Sequence, residues 1–462
     1  MCVCMIFAQS LSKIDKQIIQ HTFDAEFGIS ERLIHEQIKE HPTSPKYQFY
    51  LFAKDIGAVA HKMYEIPNDL RKGYRDSVYH VIFERAEMFL DTIDEDKLSI
   101  DDKFYVGAIY GFIGRSIANE SLFKAFKYGK RGRNYLQEVV EENPEYYDAY
   151  LGLGMFNYYA DRLGGFIGFI SSILGFSGDR ELGLKQIKMA AEKGTQSFAE
   201  ANLVLGEIYW NMEQQPEFAY SYFKAFVERY PKNKVMLNVY AQLLVRLNKY
   251  EEFKTLIAQR NNDLNHFSMA RFYFETGEFP NAYHAFSLVT KNPNQYKFWQ
   301  VRQSYFRLAL IHALNKETED IKPFIPHLDD NLKQWLTTSM KDPVLKHIYD
   351  LRSVVNTGTA DSLIAQCSKT PHSYITKNLE ELHLLYYARY LASTKQYDIL
   401  KDVLNREFKE YIFDLHLEKL KLYECVQPTE DELETLVDQL EEYELDPLVF
   451  RAEDLQKKYG YN

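Results

Sequence analysis

Cysteine is scarce: four in 462 residues, at positions 2, 4, 367 and 425. Cys2 and Cys4 fall in an apolar leader described below. The remaining two, Cys367 and Cys425, are too few for a metal site and make at most one disulfide. Proline (14) and glycine (21) are also sparse, and no low-complexity linker or β-branched alternation interrupts the chain, which argues against strands and against disordered spacers. No apolar run reaches the ~20 residues that a membrane-spanning helix needs. An excess of positive charge is missing too: the formal net charge of −11 repels phosphate backbones and excludes a general nucleic-acid-binding role.

The signatures of catalysis are lacking as well. There is no Gly-x-Ser-x-Gly elbow, no paired-cysteine motif and no Gly-Lys-Ser/Thr ending of a phosphate loop. "HEQIKEH" offers His35, Glu36 and His41, but a spacing of six puts the two histidines on different helix faces, where a zinc protease needs four. No catalytic residue, cofactor or metal site is therefore expected, and the chain reads as a non-enzyme.

What is present is aromatic and periodic. Tyr (35) and Phe (31) recur at helical spacing in a chain too long for one compact core, which predicts an all-α array of stacked helices. "SMARFYFETGEFPNAYHAFSLVTKNP" sets Met269-Ala270 ahead of Tyr273, Gly277 at a turn, Phe279, Ala282, Phe286 and a closing Pro293. "LGEIYWNMEQQPEFAYSYFKAFVERYP" repeats it with Leu205-Gly206, Tyr209, Ala219, Phe223 and Pro231. The opening-to-proline distances of 24 and 26 residues bracket the ~25 of a 34-residue tetratricopeptide unit. Val106-Gly107 and Tyr110, closing on Pro144, and then Leu151-Gly152 continue the phase upstream. The small residues Gly107, Gly152, Gly206, Ala270 and Ala282 are expected where two helices approach, with large ones filling the next gap. The fold expected is a tetratricopeptide-like α-solenoid.

Residues 163–178, "LGGFIGFISSILGFSG", are uncharged and carry five glycines. They are too short to span a bilayer and fall between two helices of one unit, where about three residues suffice, so they read as a hairpin-tip insertion. Asp179, Arg180 and Glu181 follow and read as the cap of the next helix. The run "AYLGLGMFNYYADRL" with Gly178-Asp179-Arg180-Glu181 and "LGLKQIKMAAEKG" resembles the tetratricopeptide-repeat protein 39 and inclusion-body-clearance family and its uncharacterised bacterial relatives over roughly residues 100–235. The resemblance implies a non-enzymatic adaptor with lipid- or membrane-adjacent biology.

The expected organisation is a leader at 1–8, N-terminal helical repeats at 9–99, a repeat core at 100–294 holding the insertion 163–178, divergent helical repeats at 295–428, and acidic capping helices at 429–462, where Thr429 and Glu432 form a capping box. The apolar start "MCVCMIFA" resembles the end of a signal peptide cleaved after Ala8, so an exported, periplasmic or envelope location is expected, a cytoplasmic one being the alternative.

Two surfaces are candidates for binding. "FKAFKYGKRGRNY" gives Lys124, Lys127 and Lys130 on a helix face and Arg131 and Arg133 at a basic turn, a site for acidic peptide or anionic lipid. Phe166, Phe169, Ile173 and Phe176 of the insertion would pack on their own solenoid, on a partner or on a membrane. The leading expectation is a protein or peptide partner in the concave groove. A peripheral anionic-membrane protein and a glycan-binding envelope protein are the alternatives.

Overall fold

The computed structural model describes residues 11–118, 121–162, 178–315, 318–340, 345, 349, 377–406, 408 and 412–461. Among them are twenty-one α-helices, a few 3-10 turns, one π turn and no strand. The leader, Cys367 and residues 163–177 lie outside the described residues. The chain divides into two units, residues 1–207 with 219–237, and 208–218 with 238–462.

The first unit holds α1 (Lys13–Phe23), α2 (Phe27–Glu40), α3 (Pro45–Lys62), α4 (Asn68–Leu90), α5 (Ile100–Ser116), α6 (Leu122–Glu142), α7 (Ala149–Arg162), α8 (Arg180–Lys193) and α9 (Phe198–Glu207). Helices α10 (Pro216–Arg229) and α11 (Lys234–Arg246) have residues in both units. The second unit continues with α12 (Tyr250–Arg260), α13 (His266–Glu275), α14 (Phe279–Lys291), α15 (Phe298–Leu314), α16 (Asp330–Ser339), α17 (Lys377–Ser393), α18 (Tyr397–Leu404), α19 (Ile412–Cys425), α20 (Glu430–Glu442) and α21 (Asp446–Tyr459). Neighbouring helices pack against one another in pairs, as a helical-repeat fold requires.

One turn recurs between the helices of a pair. Ala25, Gln214, Asn248, Gly277, Lys395 and Glu444 all have φ between 51° and 79°, the left-handed region. Each sits two positions before the second helix of its pair. The residue after it donates its N–H back across the turn: Glu26 to the His21 carbonyl (2.8 Å), Lys249 to Leu244 (2.9 Å), Glu278 to Tyr273 (2.8 Å), Gln396 to Leu391 (2.9 Å) and Leu445 to Leu440 (2.9 Å). Such a cap satisfies the last carbonyls of the first helix and reverses the chain in three residues. Gly277 meets this backbone without a Cβ penalty, as its place in the repeat pattern foretold.

Pairs α5/α6 and α7/α8 are joined differently. A Cβ on Gly107 would stand 3.0 Å from the Gly132 carbonyl oxygen, and one on Gly132 2.7 Å from that of Gly107, so these helices touch backbone to backbone. Gly154 and Gly183 do the same for α7 and α8: a Cβ on either would lie 2.6 Å from the other helix's main chain. The repeat-signature Gly152, expected at this joint, instead faces Leu136 of the preceding helix, where a Cβ would meet Cδ1 at 2.3 Å. Gly206 faces the Phe223 ring, and Ala270 and Ala282 are wholly buried. Pro144, Pro231 and Pro293 each follow the end of a helix, as expected for a residue that cannot continue one.

The capping boxes fix several helix starts. Thr429 and Glu432 cap α20 reciprocally, and Ser12 with Asp15 and Ser99 with Asp102 do so for α1 and α5. Asp179 caps α8, its Oδ1 accepting the Leu182 N–H at 2.8 Å. Within the first unit α1 is clasped to the end of α10: Phe23 lies edge-on to Phe226 (6.1 Å) and near Tyr230 (5.3 Å), while Asn233 Nδ2 donates to the Phe23 carbonyl (2.8 Å).

Candidate functional site

The first helices of three successive pairs, α5, α7 and α9, meet at Arg115 near the C-terminal end of α5. Its guanidinium pairs with Glu200 and, at 3.4 Å, with Glu207, both on α9. Tyr159 of α7 acts on the same charge. Burial opposes the Arg115 charge, but the Glu200 and Glu207 carboxylates and Tyr159 outweigh it and raise its pKa above the ordinary guanidinium value. The Glu207 side chain is 54% exposed, so one acid of the cluster remains open to solvent. Each of these residues is placed by a rigid helix whose other face is in the core, which holds the charges in fixed register.

At the opposite end of the same helices the surface is closed by the protein's own groups. Tyr50 of α3 and Tyr105 of α5 both donate to Gln196 Oε1, at 3.0 and 3.1 Å. The Asp148 carboxylate accepts from the Gln196 N–H (3.0 Å), the Ser197 N–H (2.8 Å) and the Ser197 hydroxyl (2.6 Å). These groups are buried and mutually satisfied, so they fix one helix against the next. Burial pushes the Tyr50 and Tyr105 phenols well above their usual range, and they stay neutral donors.

The basic run lies wholly within α6, which continues through Arg131 and Arg133 where a turn was expected. Lys124 and Lys127 are exposed. Arg131 is otherwise engaged, pairing with Glu95 at 2.6 Å and lying 4.5 Å over the Tyr110 ring. Lys130 is half-buried, and Arg133 sits 6.0 Å over the Phe156 ring. The predicted cluster of five cations therefore separates into an exposed pair, Lys124 and Lys127, whose side chains have no partner among the described residues, and residues tied into packing. Phe166, Phe169, Ile173 and Phe176 lie outside the described residues. The helices that flank them, α7 and α8, pack together as one pair.

His35 is exposed beside Glu31, and His41 stacks on Tyr47 at 5.8 Å. Among the described residues no group of three or more His, Cys, Asp or Glu could hold a metal ion, and no helix is long and apolar enough to cross a membrane.

Sequence reasoning missed the Arg115 cluster. Its pairs span 85 and 92 residues, so no local motif announces them. Compared with known protein families and with curated proteins, the chain finds no match in either.

Proposed function

We propose that the chain is a non-enzymatic helical-repeat scaffold of the tetratricopeptide kind, whose pairs stack into a solenoid and whose first helices present a concave face to a protein or peptide partner. The observation that carries this reading is the Arg115 cluster. Stacked pairs bury their core between layers and leave the faces of the first helices for recognition. There a cation shared by two helices, with an exposed Glu207 beside it, offers a fixed pattern of charge to an extended segment. The recurrent left-handed turn supports the repeat, since one hairpin geometry used six times builds layers of one kind.

The test is affinity capture from native cells with tagged wild type and with Arg115→Glu, both checked for equal helicity and melting temperature. The partner should be retained by the wild type and lost from the variant. An identical set of captured proteins would contradict the reading.

A further inference from the structure

We propose that the edge formed by the N-terminal turns of α6 and α8 docks on an anionic phospholipid surface. The helix contacts put these two turns at the same end of the first unit's helices, on either side of α7. Gly114 of α5 lies against Ala125 and Gly129, while Gly107 lies against Gly132 and Leu136, so α5 and α6 run antiparallel. Gly154 lies against Ile187 and Gly183 against Tyr158, so α7 and α8 are antiparallel too. Phe126 packs on Phe156 (5.5 Å), and Gly152 faces Leu136, which makes α6 antiparallel to α7 and aligns the starts of α6 and α8.

Both starts carry the same pair of features. Phe123 in the first turn of α6 is 61% exposed, and Leu182 in the first turn of α8 is 42% exposed. A bulky apolar side chain held in water at the rim of a helix pair gains free energy when a lipid headgroup region covers it. Beside them Lys124, Lys127 and Lys185 are exposed, and their side chains make no ion pair or hydrogen bond among the described residues. Elsewhere in the same helix pairs the cations are engaged: Lys103 with Glu138, Arg115 with Glu200 and Arg131 with Glu95. Among the described residues the acids near these turns include Asp161, Asp179 and Glu181; Asp161 is half-buried and Asp179 is occupied in capping the Leu182 N–H. In a chain of net charge −11, an edge where free lysines flank exposed apolar side chains is complementary to an anionic surface and to little else on the protein itself.

A lipid surface fits better than an acidic protein because the exposed apolar side chains, Phe123 and Leu182, are single residues at two helix starts, each beside exposed lysines. This site is distinct from the Arg115 cluster, and the two readings stand or fall separately.

Flotation of the full chain with phosphatidylcholine vesicles, with and without phosphatidylglycerol, tests the proposal. The wild type should float with the anionic vesicles, stay behind with the neutral ones, and be released by raised salt. Each lysine contributes about fivefold to partitioning, so Lys124→Gln/Lys127→Gln/Lys185→Gln should lose on the order of a hundredfold. Phe123→Ser/Leu182→Ser should lose about tenfold or more. Both variants should keep the wild-type melting temperature, and Arg115→Glu should float unchanged. Wild-type protein that stays behind with anionic vesicles overturns the proposal, as does a triple-lysine variant that floats like the wild type. Binding to polyglutamate without flotation would assign the edge to an acidic protein and overturn it equally.

Discussion

Six helix pairs reverse direction on a single left-handed residue, whereas α5/α6 and α7/α8 have no such residue among the described ones and are held by glycines in backbone contact. The two solutions distribute tolerance differently. In the tight-turn pairs the constraint is one φ angle, and any side chain is accepted at a conformational cost, so Gln214, Lys395 and Glu444 all serve. In the glycine pairs the constraint is space, and a single added carbon has nowhere to go, because the atoms it meets are main chain. The tight-turn pairs are therefore tolerant at their turns, and the glycine pairs are intolerant along their length.

The largest effect should come from filling a glycine joint. Gly154→Leu drives a side chain into the Gly183 carbonyl and the Ile187 amide, at a cost on the order of 3 kcal/mol, against a gain of under about 1 kcal/mol from replacing glycine in a helix. Gly206→Leu, against the buried Phe223 ring, and Ala270→Leu should cost about 1–3 kcal/mol. Denaturant midpoints equal to the wild type in all three would remove the packing distinction.

A smaller loss is expected at the one tight turn that already has glycine. Gly277→Ala forces a Cβ into the left-handed region (φ 79°) and should destabilise by about 1 kcal/mol, a loss that calorimetry resolves. The reverse change sharpens the comparison: Glu444→Gly relieves the same strain at an exposed position (φ 54°) and should stabilise by about 0.5–1 kcal/mol. A lower melting temperature for Glu444→Gly would mean that its turn is held by the glutamate side chain. Smallest of all, Lys254→Ala removes only an exposed pairing with Glu251 and should stay within about 0.5 kcal/mol of the wild type.

The same contrast governs what could be read from the sequence. The pairs α9/α10 and α13/α14 were legible because large, small, aromatic and proline positions recur at fixed spacing, and Gly277 marked its own turn. The equivalent turns at Gln214, Asn248, Lys395 and Glu444 carry no glycine, so nothing in their residue type announced the shared geometry. Helix α4, within the expected N-terminal repeats, carries a weak signal of its own because it leaves Leu70, Val81 and Met88 exposed, which blurs the apolar stripe that identifies a helix. At the candidate sites the lysines of α6 were visible as a run, but the capture of Arg131 by Glu95 and of Arg115 by Glu200 and Glu207 depends on helices 36, 85 and 92 residues away. Local pattern reveals which residues share a helix face, and only the stacking reveals which of them remain free.

The central claim is that the first helices α5, α7 and α9 present a recognition surface at Arg115. The most direct measurement is photo-crosslinking in native cells with a benzophenone amino acid at Tyr159, beside that cluster, and at Tyr443, an exposed position of the second unit. The account predicts a discrete protein adduct at Tyr159 that disappears when Arg115→Glu is added, and none of that mass at Tyr443. No adduct at Tyr159, or one indifferent to Arg115→Glu, would contradict it.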